Sequence, residues 1–281
     1  MKFYGQFEPK VDKFIYDRYF PDIGIEGVFV ECGAFDGITE CSCKFFEETM
    51  QWEAYNFEPI PWIFEQLEEN RPNATNLNFG LSNKETNAIF HAVEHPEFGL
   101  NCTNGSLEHS PSHKDILDEI GCKIKDIEVQ LTTWSHFIRK YDITHIDLFV
   151  LDVEGHELSV IKGMIGAEIL PDIICVEYGH IGLSKVRVAL ESLGYYYDIT
   201  SNANAYFIKI EKLPLFNFRK RIFNEIKVEK TVEVIDNNVE LEKENSLLKE
   251  HLNELQALYN DIISSKTWKF MGRIKKVLGR S

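Results

Sequence analysis

Val28-Phe29-Val30-Glu31-Cys32-Gly33-Ala34-Phe35-Asp36-Gly37 is an apolar, β-branched and aromatic run that passes straight into a glycine-containing turn, with a helix expected after it. Strand, glycine turn and helix in that order form the nucleotide corner of Rossmann-like folds, where the ligand sits at the carboxyl end of the strand. A dinucleotide fingerprint beginning at Gly33 needs glycines where Phe35 and Ile38 stand. Phe35 blocks the close backbone approach that a pyrophosphate requires, which argues against NAD-type redox chemistry.

Charge makes the same point. Glu31 and Asp36 flank the turn and repel a diphosphate, yet they attract a ligand carrying an ammonium and a sulfonium. S-adenosylmethionine is such a ligand. Glu58 closes Asn56-Phe57-Glu58-Pro59 at the end of the second expected strand, where an acid can accept both hydroxyls of a ribose.

A second block is Leu148-Phe149-Val150-Leu151-Asp152-Val153-Glu154-Gly155-His156-Glu157. Asp152 ends a strand with apolar residues throughout, as expected of a central parallel strand covered on both faces, so its carboxylate faces the cofactor crevice. Glu154 and His156 follow on a glycine turn and can converge on a substrate hydroxyl. Methyl transfer to oxygen is an in-line displacement, served by positioning and one general base. A third strand ends at Val176-Glu177-Tyr178-Gly179-His180, adding an acid and an imidazole at the same edge. The two histidines and three carboxylates could alternatively hold a divalent metal, but no tight H-x-x-x-H spacing supports one and no metal ligand is expected.

Outward from these blocks, strands are expected at 28–31, 54–58, 76–81, 147–152, 173–178, 195–200 and 205–210, separated by helical segments. The last two are joined by Ser201-Asn202-Ala203-Asn204, a hairpin-type turn. Residues 86–130 are polar and read as an inserted loop or β-ribbon, a plausible lid. The expected organisation is an N-terminal helical segment (1–26), a catalytic domain (27–212), a linker (213–230), a coiled coil (231–263) and a basic amphipathic tail (264–281).

In the coil Val234, Leu241, Leu248, Leu255 and Ile262 fall at d, while Thr231, Asn238, Asn245, Leu252 and Tyr259 fall at a. That pattern favours a parallel homodimer; a helix docked on the catalytic domain is the alternative. In the tail, Lys266, Lys269, Arg273, Lys275, Lys276 and Arg280 accompany Trp268 and Phe270, which suits peripheral contact with an anionic membrane or a basic tail neutralising an acidic body.

The chain has 281 residues and a net charge of −15. That balance argues against a nucleic-acid partner. No apolar stretch is long enough to span a bilayer and the first residues form no export signal, so a cytoplasmic location is expected, with contact at the inner membrane face. Six cysteines then read as reduced thiols, and the lone pair Cys41 and Cys43 as buried or idle.

These motifs resemble those of the FkbM family of methyltransferases over roughly residues 25–210. The resemblance rests on Val30 through Gly37, on Phe57-Glu58-Pro59, and on Leu151-Asp152-Val153-Glu154-Gly155-His156-Glu157 followed by Lys162-Gly163-Met164. Gly105-Ser106-Leu107 matches a family motif in the insertion, whereas Leu131-Thr132-Thr133-Trp134 departs from a Thr-Leu-Asp-like stretch. The resemblance implies an α/β, Rossmann-like class I methyltransferase sheet, mostly parallel and ending in an antiparallel hairpin. It implies an S-adenosylmethionine-dependent O-methyltransferase acting on a hydroxyl, often of a sugar. Ser265-Lys266-Thr267-Trp268-Lys269 resembles tails on enzymes of bacterial surface-polysaccharide assembly, which points to a glycan substrate.

The expected cofactor residues are Glu31, Gly33, Ala34, Phe35, Asp36, Gly37, Glu58, Pro59, Ser82 and Asp152. The expected catalytic residues are Asp152, Glu154 and His156, with Ser106, Glu177 and His180 at the substrate. The alternative is a non-catalytic coiled-coil adaptor with a methyltransferase-like binding domain.

Overall fold

The structure, a computed structural model, describes residues 1–217; the coiled coil over 231–263, the tail over 264–281 and most of the 213–230 linker lie outside the described residues. In chain order the elements are α1 (Val11–Tyr19), β1 (Val28–Cys32), α2 (Lys44–Glu48), β2 (Glu53–Phe57), α3 (Pro61–Asn70), β3 (Thr75–Leu77), β4 (Gly80–Ser82) and β5 (Thr86–Glu94). They continue with α4 (Pro111–Ile120), β6 (Lys123–Thr133), α5 (Trp134–Lys140), β7 (Leu148–Leu151), α6 (Glu157–Gly163), β8 (Ile173–Glu177), α7 (Leu183–Ser192), β9 (Tyr195–Ser201) and β10 (Asn204–Lys209).

A seven-stranded sheet has the order β3-β2-β1-β7-β8-β10-β9. Its first five strands are parallel, and β10 runs antiparallel to both neighbours. The hairpin expected at 201–204 is there, with Asn202 in the left-handed region at φ 52°, which asparagine tolerates better than most residues. Successive side chains on a strand face opposite ways, and β1 shows the consequence. Val30 and Cys32 pack with Phe137 of α5, Val160 of α6 and Leu190 of α7, whereas Phe29 packs with Ile15 of α1 and with Phe45 and Phe46 of α2. Both faces of the sheet are therefore covered by helices, which accounts for the unbroken apolar runs of its central strands.

One expected strand is corrected. Residues 76–81 are two strands in two sheets: β3 ends the main sheet, while β4 enters a three-stranded sheet of order β4-β6-β5. The cause is a corner at Asn78, whose side-chain amide donates to the carbonyls of Glu58 (2.9 Å) and Pro59 (3.2 Å). The polar insertion is a long antiparallel ribbon of β5 and β6 bearing α4. Phe90, Ala92, Val129 and Leu131 of the ribbon cluster with Ile60 and Ile63, holding it against the start of α3. A proline opens α3 and α4, and α4 gains a cap where the Ser110 hydroxyl accepts from the His113 N–H at 3.2 Å, both favoured helix starts.

Candidate active site

After β1 the chain goes outward on one side of the sheet to β2 and β3, and later on the other side to β7 and β8. The crevice at such a reversal is where open α/β sheets bind ligands. A cleft enclosing about 870 Å³, its open mouth included, lies there. Gly33, Phe35, Glu58, Pro59, Asp152, Glu154 and His156 line it, together with Glu40, Cys41 and Ile60. The insertion supplies another wall through Phe90, Cys102, Thr103, Gly105 and Leu107. Four of the lining residues are acidic, and none is a lysine or arginine.

The turn after β1 is built by backbone rather than by a helix directly following it. The Gly33 and Ala34 N–H groups both donate to the Phe57 carbonyl, each at 3.1 Å, and a loop runs from Gly33 to Cys43 before the short α2. Gly33 sits at φ 89°. Phe35 (φ 49°), Glu40 (φ 54°) and Glu154 (φ 54°) are non-glycine residues in the left-handed region, and all three line the cleft. Such backbone strain persists only where surrounding contacts hold it, and it gathers at functional sites.

Several expected residues support the site without lining it. Glu31 is buried and faces Arg71, whose Nη1 lies 3.6 Å from its Oε2; it also accepts from the Ser42 N–H at 2.8 Å and the Cys41 thiol at 3.3 Å. Burial pushes its pKa up against the lowering by Arg71. Arg71, fully buried, is also bonded to Glu47. Asp36 accepts from the N–H groups of Ile38 (2.8 Å) and Thr39 (2.6 Å), shaping the loop that presents Thr39, Glu40 and Cys41. Ala34 and Gly37 serve the same turn, the Gly37 N–H donating to the Ala34 carbonyl at 3.0 Å. Ser106 is buried; its hydroxyl donates to the Glu154 carbonyl at 2.7 Å and so fixes that loop.

Glu58 is 4 % exposed and accepts from the Ile60 N–H at 2.8 Å. Burial raises its pKa to about 7, against the lowering by the backbone N–H groups of Ile60 and Phe35. Ser82 lies 3.0 Å from His156 Nε2, and burial lowers the pKa of that imidazole. Gly163 makes this pairing possible, since a Cβ there would lie 2.3 Å from the Ser82 carbonyl oxygen.

At the mouth the acids crowd. Burial raises the pKa of Asp152 well above its ordinary value, helped by Glu154, Glu177 and Glu157; burial and Glu154 raise that of Glu177 to about 7. Glu157 Oε1 accepts from the Val153 and Gly155 N–H groups, each at 3.1 Å, and so organises the turn itself. Glu154 Oε2 lies 2.7 Å from His180 Nε2, and the neighbouring carboxylate raises the pKa of His180. Two groups of potential cation ligands meet here, Asp152 with Glu157 and Glu177, and Glu154 with His113 and His180. The sequence singled out neither His113, Glu40 nor Arg71: Glu40 lies in the loop just past Gly37, Arg71 just past α3 and His113 in α4 of the insertion, and only the fold brings them to the site. All six cysteines are free thiols, and Cys41 and Cys43 are both buried.

The profile of the methyltransferase FkbM domain family matches residues 31–197. No curated protein sequence matches the chain. Among solved structures the chain is similar to methyltransferase FkbM from Methylobacillus flagellatus KT, at 14 % identity and a TM-score of 0.43, covering 66 % of this chain and 44 % of that one. It is also similar to the precorrin-6y C5,15-methyltransferase of Geobacter metallireducens GS-15 (12 %, TM-score 0.39, 74 % of this chain and 90 % of that one). A third is TrmK of M. capricolum, solved with S-adenosyl-homocysteine (11 %, TM-score 0.37, 92 % and 98 %). The chain thus spans less than half the length of the Methylobacillus protein.

Proposed function

As the chain belongs to the FkbM methyltransferase family, we propose that it is an S-adenosylmethionine-dependent O-methyltransferase acting on a hydroxyl of a sugar, within a surface polysaccharide or other glycan. The observation that carries the reading is the cleft at the head of the sheet, lined by Glu40, Glu58, Asp152 and Glu154 and by no lysine or arginine. Such a wall attracts a sulfonium and an ammonium and disfavours phosphates. Bound there, S-adenosylmethionine supplies an electrophilic methyl group.

The chain's own residues divide the remaining work. Gly33 lets the ends of β1 and β7 meet beneath the cleft, and Glu58 offers a buried carboxylate to the ribose hydroxyls. Pro59 and Ile60 provide apolar wall beside it. Phe35, Phe90 and Leu107 add apolar lining to the cleft, and water displaced from it on ligand binding would strengthen the charge interactions inside. Asp152 and Glu154 hold the acceptor hydroxyl at the mouth. His156 accepts its proton, with Ser82 fixing the imidazole tautomer through the 3.0 Å contact; positioning plus one base is what such a displacement needs.

The non-catalytic adaptor alternative gains nothing from this arrangement, because acids at buried strand ends are costly to keep without a ligand to serve. Homodimerisation through 231–263 and membrane contact through 264–281 stay proposals on residues outside those described. Among the described residues no helix is long and apolar enough to cross a membrane.

The test is incubation of the full chain with methyl-labelled S-adenosylmethionine and a panel of cell-envelope glycans. Label in a saccharide at an ether oxygen is the expected result. Label on protein or nucleic acid only, with no saccharide labelled, contradicts the acceptor class.

A further inference from the structure

We propose that His113, Glu154 and His180 hold a divalent first-row transition cation of the zinc type at the mouth of the cleft, with helix α4 of the insertion supplying one of the three ligands. The sequence directs attention to His156 and His180 as the pair of imidazoles. The structure turns His156 to Ser82 and brings His113 into the group instead, from a segment more than thirty residues upstream.

One candidate donor atom from each of the three side chains lies within 4.8 Å of the others. Around a tetrahedral ion with bonds of about 2.0 to 2.1 Å, neighbouring ligand atoms stand roughly 3.3 Å apart. Glu154 Oε2 and His180 Nε2, 2.7 Å apart, now form a hydrogen-bonded pair, so an ion would take the place of the shared proton and part the two atoms by roughly 0.6 Å. The second observation is His113 itself: it is 4 % exposed, and its Nδ1 has no hydrogen-bond partner among the described residues. A buried imidazole nitrogen without a partner is unfavourable, and a cation resolves it.

The ligand set decides the metal class. Two imidazoles and one carboxylate suit zinc and its first-row neighbours, whereas magnesium and calcium take oxygen donors. Three protein ligands leave a position open, and Glu154, one of the three, lines the cleft. Asp152, Glu157 and Glu177 form a neighbouring acidic group and are not needed as ligands. The His113 and His180 rings stack with centroids 4.4 Å apart at 19°, so sharing an ion requires the His113 ring to turn out of the stack. That motion is about its terminal torsion, which is soft. His145, Asp147 and Asp172 form another such group, but its carboxylates are occupied: Asp147 accepts from the Val28 N–H at 2.9 Å and Asp172 pairs with Lys212 at 2.9 Å.

The proposal does not require the methyl donor, so it is tested without one. The full chain, stripped with a chelator and desalted, is titrated with Zn²⁺ and with Co²⁺ and checked by elemental analysis. One equivalent of tightly bound metal is expected, and the Co²⁺ form should show two paramagnetically shifted imidazole N–H resonances. Glu154→Gln, His113→Ala and His180→Ala should each weaken binding by more than about tenfold, since loss even of an outer partner costs that much, while His145→Ala should bind as the parent chain does. No stoichiometric metal, resonances from fewer than two imidazoles, or binding lost in His145→Ala and kept in His113→Ala overturns the proposal. The Co²⁺ measurement on the parent chain stands even if a variant fails to fold. Absence of metal leaves the methyl-transfer reading in place.

Discussion

Gly33 and Asp152 meet at the head of the sheet with no room for a side chain between them: a Cβ on Gly33 would lie 1.8 Å from the Asp152 carbonyl oxygen. The ends of β1 and β7 are thereby pressed together, and the cleft lies directly above. Gly33→Ala faces both that overlap and a φ of 89°, which suits glycine alone. We expect it to destabilise the domain by more than about 2 kcal/mol, lowering the thermal midpoint by roughly 4 to 8 °C. Differential scanning calorimetry checks this.

Glu58 should make cofactor affinity depend on pH. Its pKa of about 7 in the folded chain means that the carboxylate expected to accept ribose hydroxyls forms only as pH rises through that value. S-adenosylhomocysteine should bind more tightly at pH 8 than at pH 6, and Glu58→Gln should bind weakly at both. Stability moves the other way. A carboxyl whose folded pKa lies above its unfolded value contributes stability below about pH 4.5, and that contribution is lost as pH rises through about 7. Glu58→Gln should therefore be the more stable chain at pH 8, by roughly 3 kcal/mol at most, and no more stable at pH 4. Paired calorimetric titrations and melting curves read both effects.

His156→Gln should lower kcat by about 100-fold or more, the usual worth of a positioned base, with S-adenosylhomocysteine affinity little changed. Ser82→Ala should lower kcat less, because it frees the imidazole tautomer without removing the ring. Equal losses of cofactor affinity in both variants would place the pair at the cofactor instead.

Arg71 is the charge on which the loop after β1 depends. Arg71→Met leaves Glu31 and Glu47 without their buried partner, and breaking such a group is worth about 3 to 5 kcal/mol. Adding Glu31→Gln should restore part of that stability while leaving cofactor affinity near that of Arg71→Met alone. If Glu31→Gln by itself abolished cofactor binding in a chain of normal stability, Glu31 would be a ligand rather than a support.

The strands that carry the site were legible because burial on both faces demands unbroken apolar runs, as in Leu148 to Leu151. Their acidic ends, Glu58 and Asp152, were legible for the same reason: a charge terminating such a run marks the sheet's edge. The break at Asn78 was not, since an amide holding two carbonyls of a neighbouring loop leaves no periodic trace. Glu31 and Asp36 carry the right chemistry for a cationic ligand, but sequence cannot tell an acid facing a crevice from one facing Arg71 or its own turn. His113 sits on an amphipathic helix whose docking is decided by tertiary packing, so its meeting with Glu154 and His180 had no local signal.

The central claim, that this acidic cleft takes a sulfonium-bearing methyl donor and rejects dinucleotides, is met most directly by isothermal titration of the full chain with S-adenosylhomocysteine, S-adenosylmethionine and NAD in parallel. The account predicts one site for each of the first two, weakened in Glu58→Ala, and no heat from NAD. A chain with a cooperative thermal transition that binds NAD, or that binds neither adenosyl ligand, would contradict it.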